Sequence, residues 1–355
     1  MSEATKTRRF GFKRWIVLGL TALGIYAAFI GPSFLKPISP VVVLPAEPIA
    51  EGSPITNTML ATLIADAVLL LFAFGAWRFH RSGKQVPSGL YNFFEVLVEF
   101  LWNGVEGATG KWAKRVFPVV ATIFMLVFFA NMTKLLPGYE SIGWLKEAHK
   151  APAYAVVPLA KLGGMTVYTL DKGQPVAIEA HGEEEVSAEE ASHSEGEAAV
   201  GGEPCHACEV VPFLRGAATD LNFPLALAVV AVFMTQVYGV WALGPSYFGK
   251  FFQFGALVNG GIFGIINFGV GFLELLLEFA KILSFSFRLF GNIFAGTLLL
   301  SIVGALTAVV VPPGLYLFEI FFGTIQAYVF YLLATMFISM ALVSHHGDEH
   351  GEEHH

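Results

Sequence analysis

Ser284-Phe285-Ser286-Phe287-Arg288-Leu289-Phe290-Gly291-Asn292-Ile293-Phe294-Ala295-Gly296-Thr297-Leu298-Leu299-Leu300 sets one arginine inside an apolar helical pattern, with no acid within a turn of it. A guanidinium at membrane depth costs at least about 2.5 kcal/mol and cannot shed its proton, so Arg288 marks an ion path or a carboxylate partner. At 3.6 residues per turn, Ser284, Gly291, Ala295 and, to one side, Asn292 fall on or near the same face. That face is narrow and small, as where a second membrane helix comes close. Snorkelling to the headgroups is the alternative. Against it, roughly twenty apolar residues follow Arg288 before the Pro312-Pro313-Gly314 turn, about a full membrane thickness.

Composition agrees with a membrane setting. The 355 residues are 55% hydrophobic and 14% charged, with a mean hydropathy of +0.63. Such values exclude a soluble globule and point to an all-α integral membrane protein. The net charge of −7 is uneven, because thirteen of the 28 acids lie between Glu140 and Glu209 and four more between Asp348 and Glu353.

The run Phe287 to Gly296 resembles the signature of subunit a of the F-type ATP synthase. Ordered matches accompany it: Asn131-Met132 before Leu135-Leu136-Pro137-Gly138, Asp220-Leu221-Asn222, Glu274 fourteen residues before the arginine, and Gln326 in the last helix. The likeness covers about 60–137 and 217–343. It implies a stator subunit with two proton half-channels that load and unload carboxylates on a rotor ring of small two-helix subunits. It further implies peripheral stalk subunits and the rest of the complex as partners, nucleotide chemistry on other chains, and no cofactor or nucleic acid. The expected setting is membrane lipid of the bacterial cytoplasmic (inner) membrane, crossed by about five to six helices, the last two long and tilted as a hairpin.

Residues 1–57 read as an N-terminal segment and outside linker. Five Lys and Arg precede the apolar run Trp15 to Ile30, which suits a retained anchor or a cleaved signal, with the N-terminus inside. Residues 58–138 hold the first core helices. Within them, 90–106 alternates apolar positions with Glu95, Glu99 and Glu106 as a surface amphipathic helix does. Asp66 in the first span suits a polar contact between helices, and Lys134 suits a headgroup contact.

Residues 139–212 form an acidic, hydrophilic insert expected to be a mostly disordered outside loop. Cys205, His206 and Cys208 are weak metal candidates there, with a disulfide or free thiols as alternatives. Gly244 to Lys250 has P-loop spacing, yet Phe251 stands where Ser or Thr must ligate magnesium, so a nucleotide site is rejected.

Residues 213–343 carry the channel helices. Gly255 to Val311 is apolar for 57 residues, about 85 Å as one helix, so it either breaks near Gly260-Gly261-Gly264 or runs obliquely. The proton-translocation candidates are Arg288, Glu274, Glu278, Asn292, Thr297, Glu319 and Gln326. Glu278 can instead pair with Lys281, three residues on. Gln326 is expected to approach Arg288 across the hairpin. The tail 344–355 holds five of the ten histidines and reads as solvated and cytoplasmic. A self-contained ion-coupled transporter is the competing class, but it predicts an internal repeat with broken helices, which the chain lacks.

Overall fold

The computed structural model describes residues 15, 18, 19, 21, 22, 46–49, 53–81, 89–136, 139–148, 153–162, 165–170, 176, 207–251, 261–306 and 311–343. Most of the expected N-terminal anchor and the His-rich tail lie outside these, as do Cys205 and His206. From residue 57 on, the described residues form the α-helices α1 Asn57–Arg81, α2 Leu90–Thr109, α3 Ala113–Thr133, α4 Asn222–Leu243, α5 Gly261–Leu306 and α6 Pro312–Leu342. Four helical stretches among the described residues are long and apolar enough to cross a membrane, namely Asn57–Arg81, Tyr91–Thr133, Asn222–Gly249 and Pro312–Leu342. The membrane body is all helix, as composition predicts. In hydrocarbon, only a helix meets its backbone hydrogen-bonding groups within one segment.

Two compact units divide the chain, one of 1–43, 141–212 and 296–319, the other of 44–140, 213–295 and 320–355. The first contains most of the insert, and here the structure departs from a disordered loop. Strand β1, Gly143–Glu147, pairs antiparallel with β4, Cys208–Pro212. Strand β2, Val156–Leu162, pairs with β3, Met165–Leu170, through an irregularity between Pro158 and Ala160. Short runs of Val, Thr and Tyr carry β propensity that the acidic average of the insert hides. Cys208 is disulfide-bonded, and Cys205 is the only other cysteine in the sequence. A sulfur so engaged is not available as a thiolate ligand.

The second unit is built on α3, which packs against α1, α2 and α4. Its buried side chains Val116, Val120, Ile123, Phe124 and Val127 join Leu101 and Val105 of α2, Ala228 and Ala231 of α4, and Phe330, Ala334 and Ile338 of α6 in one core. The amphipathic reading of α2 holds in part: Glu95, Glu99 and Glu106 are exposed. However, Phe93 and Phe100 are also more than half exposed, while Leu101 and Val105 face the core.

Hydroxyl groups tie α2 to α6. Tyr331 donates to the Leu101 carbonyl at 2.6 Å, and Ser339 donates to the Ala108 carbonyl at 2.6 Å. A helical carbonyl has a second lone pair free for such a donor. Gly104 lies directly beneath the Tyr331 hydroxyl, which a Cβ at 104 would meet at 2.7 Å.

Two expectations about the last helices are refined. The helix α5 is continuous for 46 residues, about 69 Å at 1.5 Å per residue, and Gly264 does not break it. Pro312, Pro313 and Gly314 open α6 rather than forming a turn before it. The first bond of that helix runs from Leu315 N–H to the Val311 carbonyl at 3.1 Å, so the prolines occupy positions whose N–H groups would have no helical acceptor. Gly244–Lys250 is a 3-10 helix following α4, not the strand-to-helix loop that a phosphate cradle requires.

Candidate proton-translocation site

Two stripes on α5 position the site. Phe285, Leu289 and Ile293, spaced four apart, are buried in the core with Phe330. Phe285 meets Phe330 at a tilt of 54°, ring centres 4.7 Å apart, and Phe337 edge-on at 5.5 Å. With Asn292 meeting Gln326, these pairs run in opposite directions along the two helices, so this part of α5 lies antiparallel to α6. About 100° further round, Ser284, Arg288 and Ala295 are exposed, and a Cβ at Gly291 would meet nothing within 4 Å. The small stripe read from the sequence is therefore an open face.

Arg288 has one hydrogen bond, a long one from Nη2 to Ser284 Oγ at 3.5 Å. Among the described residues no carboxylate pairs with it; the ion pair on this helix is Lys281 with Glu278, 2.9 Å apart. The pairing of Glu278 with Lys281 allowed by their spacing is thus realised. Lys281 also lies over the Phe337 ring at 4.8 Å. Between Lys281 and Arg288 a cavity of about 290 Å³ is lined by Leu277, Ala280, Ser284, Phe285, Leu333 and Phe337. Its walls are apolar and its two polar ends are cationic. Leu277, Leu283 and Phe287 beside it are each more than half exposed.

One turn beyond the arginine, Asn292 Nδ2 donates to Gln326 Oε1 at 3.4 Å. Gln326 therefore meets Asn292 rather than Arg288. Its side chain is buried and, among the described residues, its Nε2 has no acceptor, leaving both N–H donors of that amide unpaired. Behind it, Asn131 Nδ2 donates to the Gly323 carbonyl at 3.1 Å. A Cβ on Gly323 would approach Asn131 Cβ to 3.1 Å, so glycine lets α3 close on α6 here.

Glu274 is half-buried, and its Oε2 has no protein donor. It stands about 21 Å from Arg288 along the helix axis. Asp220, just before α4, is buried and accepts from Thr58 Oγ1 at 3.4 Å and Asn222 Nδ2 at 3.1 Å. Past the end of α3, burial raises the Tyr139 phenol above its ordinary value. A hydrogen bond with Thr133 opposes that shift and the Glu140 charge adds to it, so Tyr139 remains a neutral donor at physiological pH. Among these, the Asp220 to Thr58 contact was not anticipated.

Thr297 and Glu319 belong to the other unit. Glu319 is a buried carboxylate, and its Oε1 lies 3.0 Å from the position a Cβ on Gly296 would take. Glycine at 296 therefore leaves space for the acid. Asp66 is half-buried on α1.

Residues 59–339 match the family described as "ATP synthase A chain". The chain is 29% identical over 307 residues to the ATP synthase subunit a of Mycobacterium bovis, covering 84% of this chain and 90% of that one. It is 27% identical over 309 residues to the ATP synthase subunit a of Anaeromyxobacter dehalogenans, covering 83% of this chain and 60% of the relative. The ATP synthase subunit a of Moorella thermoacetica is 22% identical over 309 residues, 87% of this chain and 99% of that protein.

Proposed function

The chain belongs to the ATP synthase A chain family, and from that premise we propose that it is the proton-conducting stator subunit of a rotary F-type synthase in a bacterial inner membrane. Two aqueous half-paths, ending near mid-membrane from opposite sides, would deliver protons to and remove them from carboxylates on a rotor ring. The observation that supports this reading best is Arg288. It is a permanent cation on an open face of small residues, with no carboxylate partner among the described residues.

In this mechanism a rotor carboxylate reaches Arg288 after losing its proton. The guanidinium stabilises the ionised form, because charge-assisted, two-pronged hydrogen bonds favour carboxylate over carboxylic acid. The same fixed positive charge repels a proton that would pass straight between the half-paths. Asn292 and Gln326 supply neutral amides one turn away that hydrogen-bond to water or carboxylate without holding charge. Glu274, with Glu278 neutralised by Lys281, serves the inner half-path. Glu319, with Thr297, serves the outer one. Each proton moving down the field releases about 2.3 kcal/mol per 100 mV, and rotation carries that energy to catalytic subunits elsewhere.

The test is Arg288→Gln in membrane vesicles that contain the assembled synthase. ATP synthesis driven by an imposed proton gradient should fall to background while the complex still purifies whole. Synthesis at the parental rate in these vesicles overturns the reading.

A further inference from the structure

The junction of α2 and α3 carries three exposed cations, Lys111, Lys114 and Arg115, none used by proton translocation. Among the described residues none of them has an ion pair. The Arg115 guanidinium is nonetheless held in place: its carbon lies 4.6 Å from the centre of the Trp241 ring and 5.1 Å from that of Trp112. The two indoles meet edge to face at 5.9 Å, and Tyr238 stacks on Trp241 at 6.3 Å. The Tyr238 hydroxyl donates to the Arg115 carbonyl at 2.7 Å, so α4 fixes both the backbone and the side chain of this arginine. Stacking on ring faces leaves the in-plane N–H donors of a guanidinium free for an oxyanion.

An apolar track starts at the same indole. Trp241, Val237, Phe233 and Val230 follow one another at helical spacing on α4, and all are exposed, Phe233 by 63%. The track runs about 16 Å from residue 241 to residue 230, about half of the ~30 Å hydrocarbon core. An acidic protein segment would match the cations but have no use for this stripe. An amphipathic molecule with an anionic head and an acyl chain matches both.

We propose that Lys111, Lys114 and Arg115, framed by Trp112 and Trp241, bind the phosphate headgroup of an anionic phospholipid, whose acyl chain lies along Trp241, Val237 and Phe233. By the excess of Lys and Arg, this is a site of the inner leaflet. The proposal is independent of how protons move.

The assay reconstitutes the purified complex in phosphatidylcholine vesicles with graded phosphatidylglycerol, washes it in detergent, and measures retained lipid by mass spectrometry. Phosphatidylglycerol should be retained from a low mole fraction. Each cation replaced by glutamine should raise the half-saturating fraction about fivefold, and K111Q/K114Q/R115Q about a hundredfold. Arg115→Lys, which keeps the charge and loses the planar stacking, should give a smaller rise and covers the case in which the triple variant fails to assemble. Phe233→Ser should raise it too, through the apolar track alone. Equal retention of phosphatidylcholine, or retention unchanged in K111Q/K114Q/R115Q, overturns the proposal. So does displacement of the lipid by inorganic phosphate, which would mean a site for free phosphate. Loss of another subunit from the triple variant with lipid retained would mean an acidic protein partner, and overturns it equally. Proton pumping measured on the same vesicles keeps this outcome separate from that of Arg288→Gln.

Discussion

Gly104 and Tyr331 give a prediction whose sign can be worked out from the structure. In the parent, an alanine Cβ at 104 would meet the Tyr331 hydroxyl at 2.7 Å, whereas the next ring atom, Cζ, lies at 3.8 Å. Gly104→Ala alone must therefore push the hydroxyl away and break its bond to the Leu101 carbonyl, 2.6 Å long. The lost bond costs about 1 kcal/mol, and repacking the displaced ring costs about 1–3 kcal/mol. The better helix propensity of alanine returns about 1 kcal/mol, so the single change should destabilise by about 1–3 kcal/mol.

Tyr331→Phe removes the oxygen and costs about 0.6–1 kcal/mol, because the Leu101 carbonyl keeps its bond within the helix. In that background Gly104→Ala meets only an ordinary contact, and its propensity gain of about 1 kcal/mol should appear as stabilisation. The same substitution thus changes sign, with a coupling of about 2–4 kcal/mol. Unfolding of the four proteins in mixed micelles, followed by titration with a denaturing detergent, measures the cycle. Effects additive to within about 0.5 kcal/mol would refute the contact on which the reasoning depends.

Glu319→Gln should lower proton flux through the synthase strongly and Thr297→Ala only mildly, since threonine cannot carry a proton's charge near neutral pH; ATP-driven acidification of vesicles reads both. Thr297→Glu should restore flux in the Glu319→Gln background, and a parental rate in Glu319→Gln together with failure of Thr297→Ala would show that the wrong residue has been assigned. Replacing Ala177 to Glu203 with a Gly/Ser linker should leave pumping largely intact, because this acidic stretch, between β3 and β4 in the sequence, lacks the apolar content to form a core. Loss of pumping in a fully assembled complex would instead give the insert a part in ion entry.

Arg288, Asn292, Glu274 and Gln326 were legible because each is a polar residue in an apolar run, where its cost in lipid makes it conspicuous. Which of them touch was not legible. Gln326 sits with Asn292 at 3.4 Å, a consequence of the register between α5 and α6 that no local spacing encodes. Tyr331 and Leu101 are 230 positions apart, and a tyrosine in a membrane helix reads equally well as an interfacial anchor. The prolines at 312 and 313 misled as turn formers because the same fixed φ that suits a turn also suits a helix start. In the insert, averaging over many acids concealed four short strands. The length of α5 could be anticipated only as a choice between a break and a single helix. Over Gly261–Leu306 the helix is continuous through Gly264, which keeps backbone groups paired wherever lipid surrounds them, while Gly260 lies outside the described residues.

The lack of an acid beside Arg288 among the described residues is itself informative. An arginine facing lipid alone would lose about 2.5 kcal/mol or more, and a chain that worked by itself could remove that cost with one well-placed glutamate. Glu274 and Glu278 lie on the same helix but several turns away, and Glu278 is already bound to Lys281. A resident carboxylate at hydrogen-bonding distance would occupy the guanidinium permanently, and a passing carboxylate would have to displace it before its own charge could be stabilised. A cation that must serve many carboxylates in succession is best left without one of its own. The face around it follows the same rule, with Ser284, Gly291 and Ala295 too small to obstruct an approaching helix. Meanwhile Phe285, Leu289 and Ile293, about 100° away, hold α5 against the core. One helix therefore keeps its stabilising contacts and its working contacts on separate sides, so that partners can exchange at one without loosening the other.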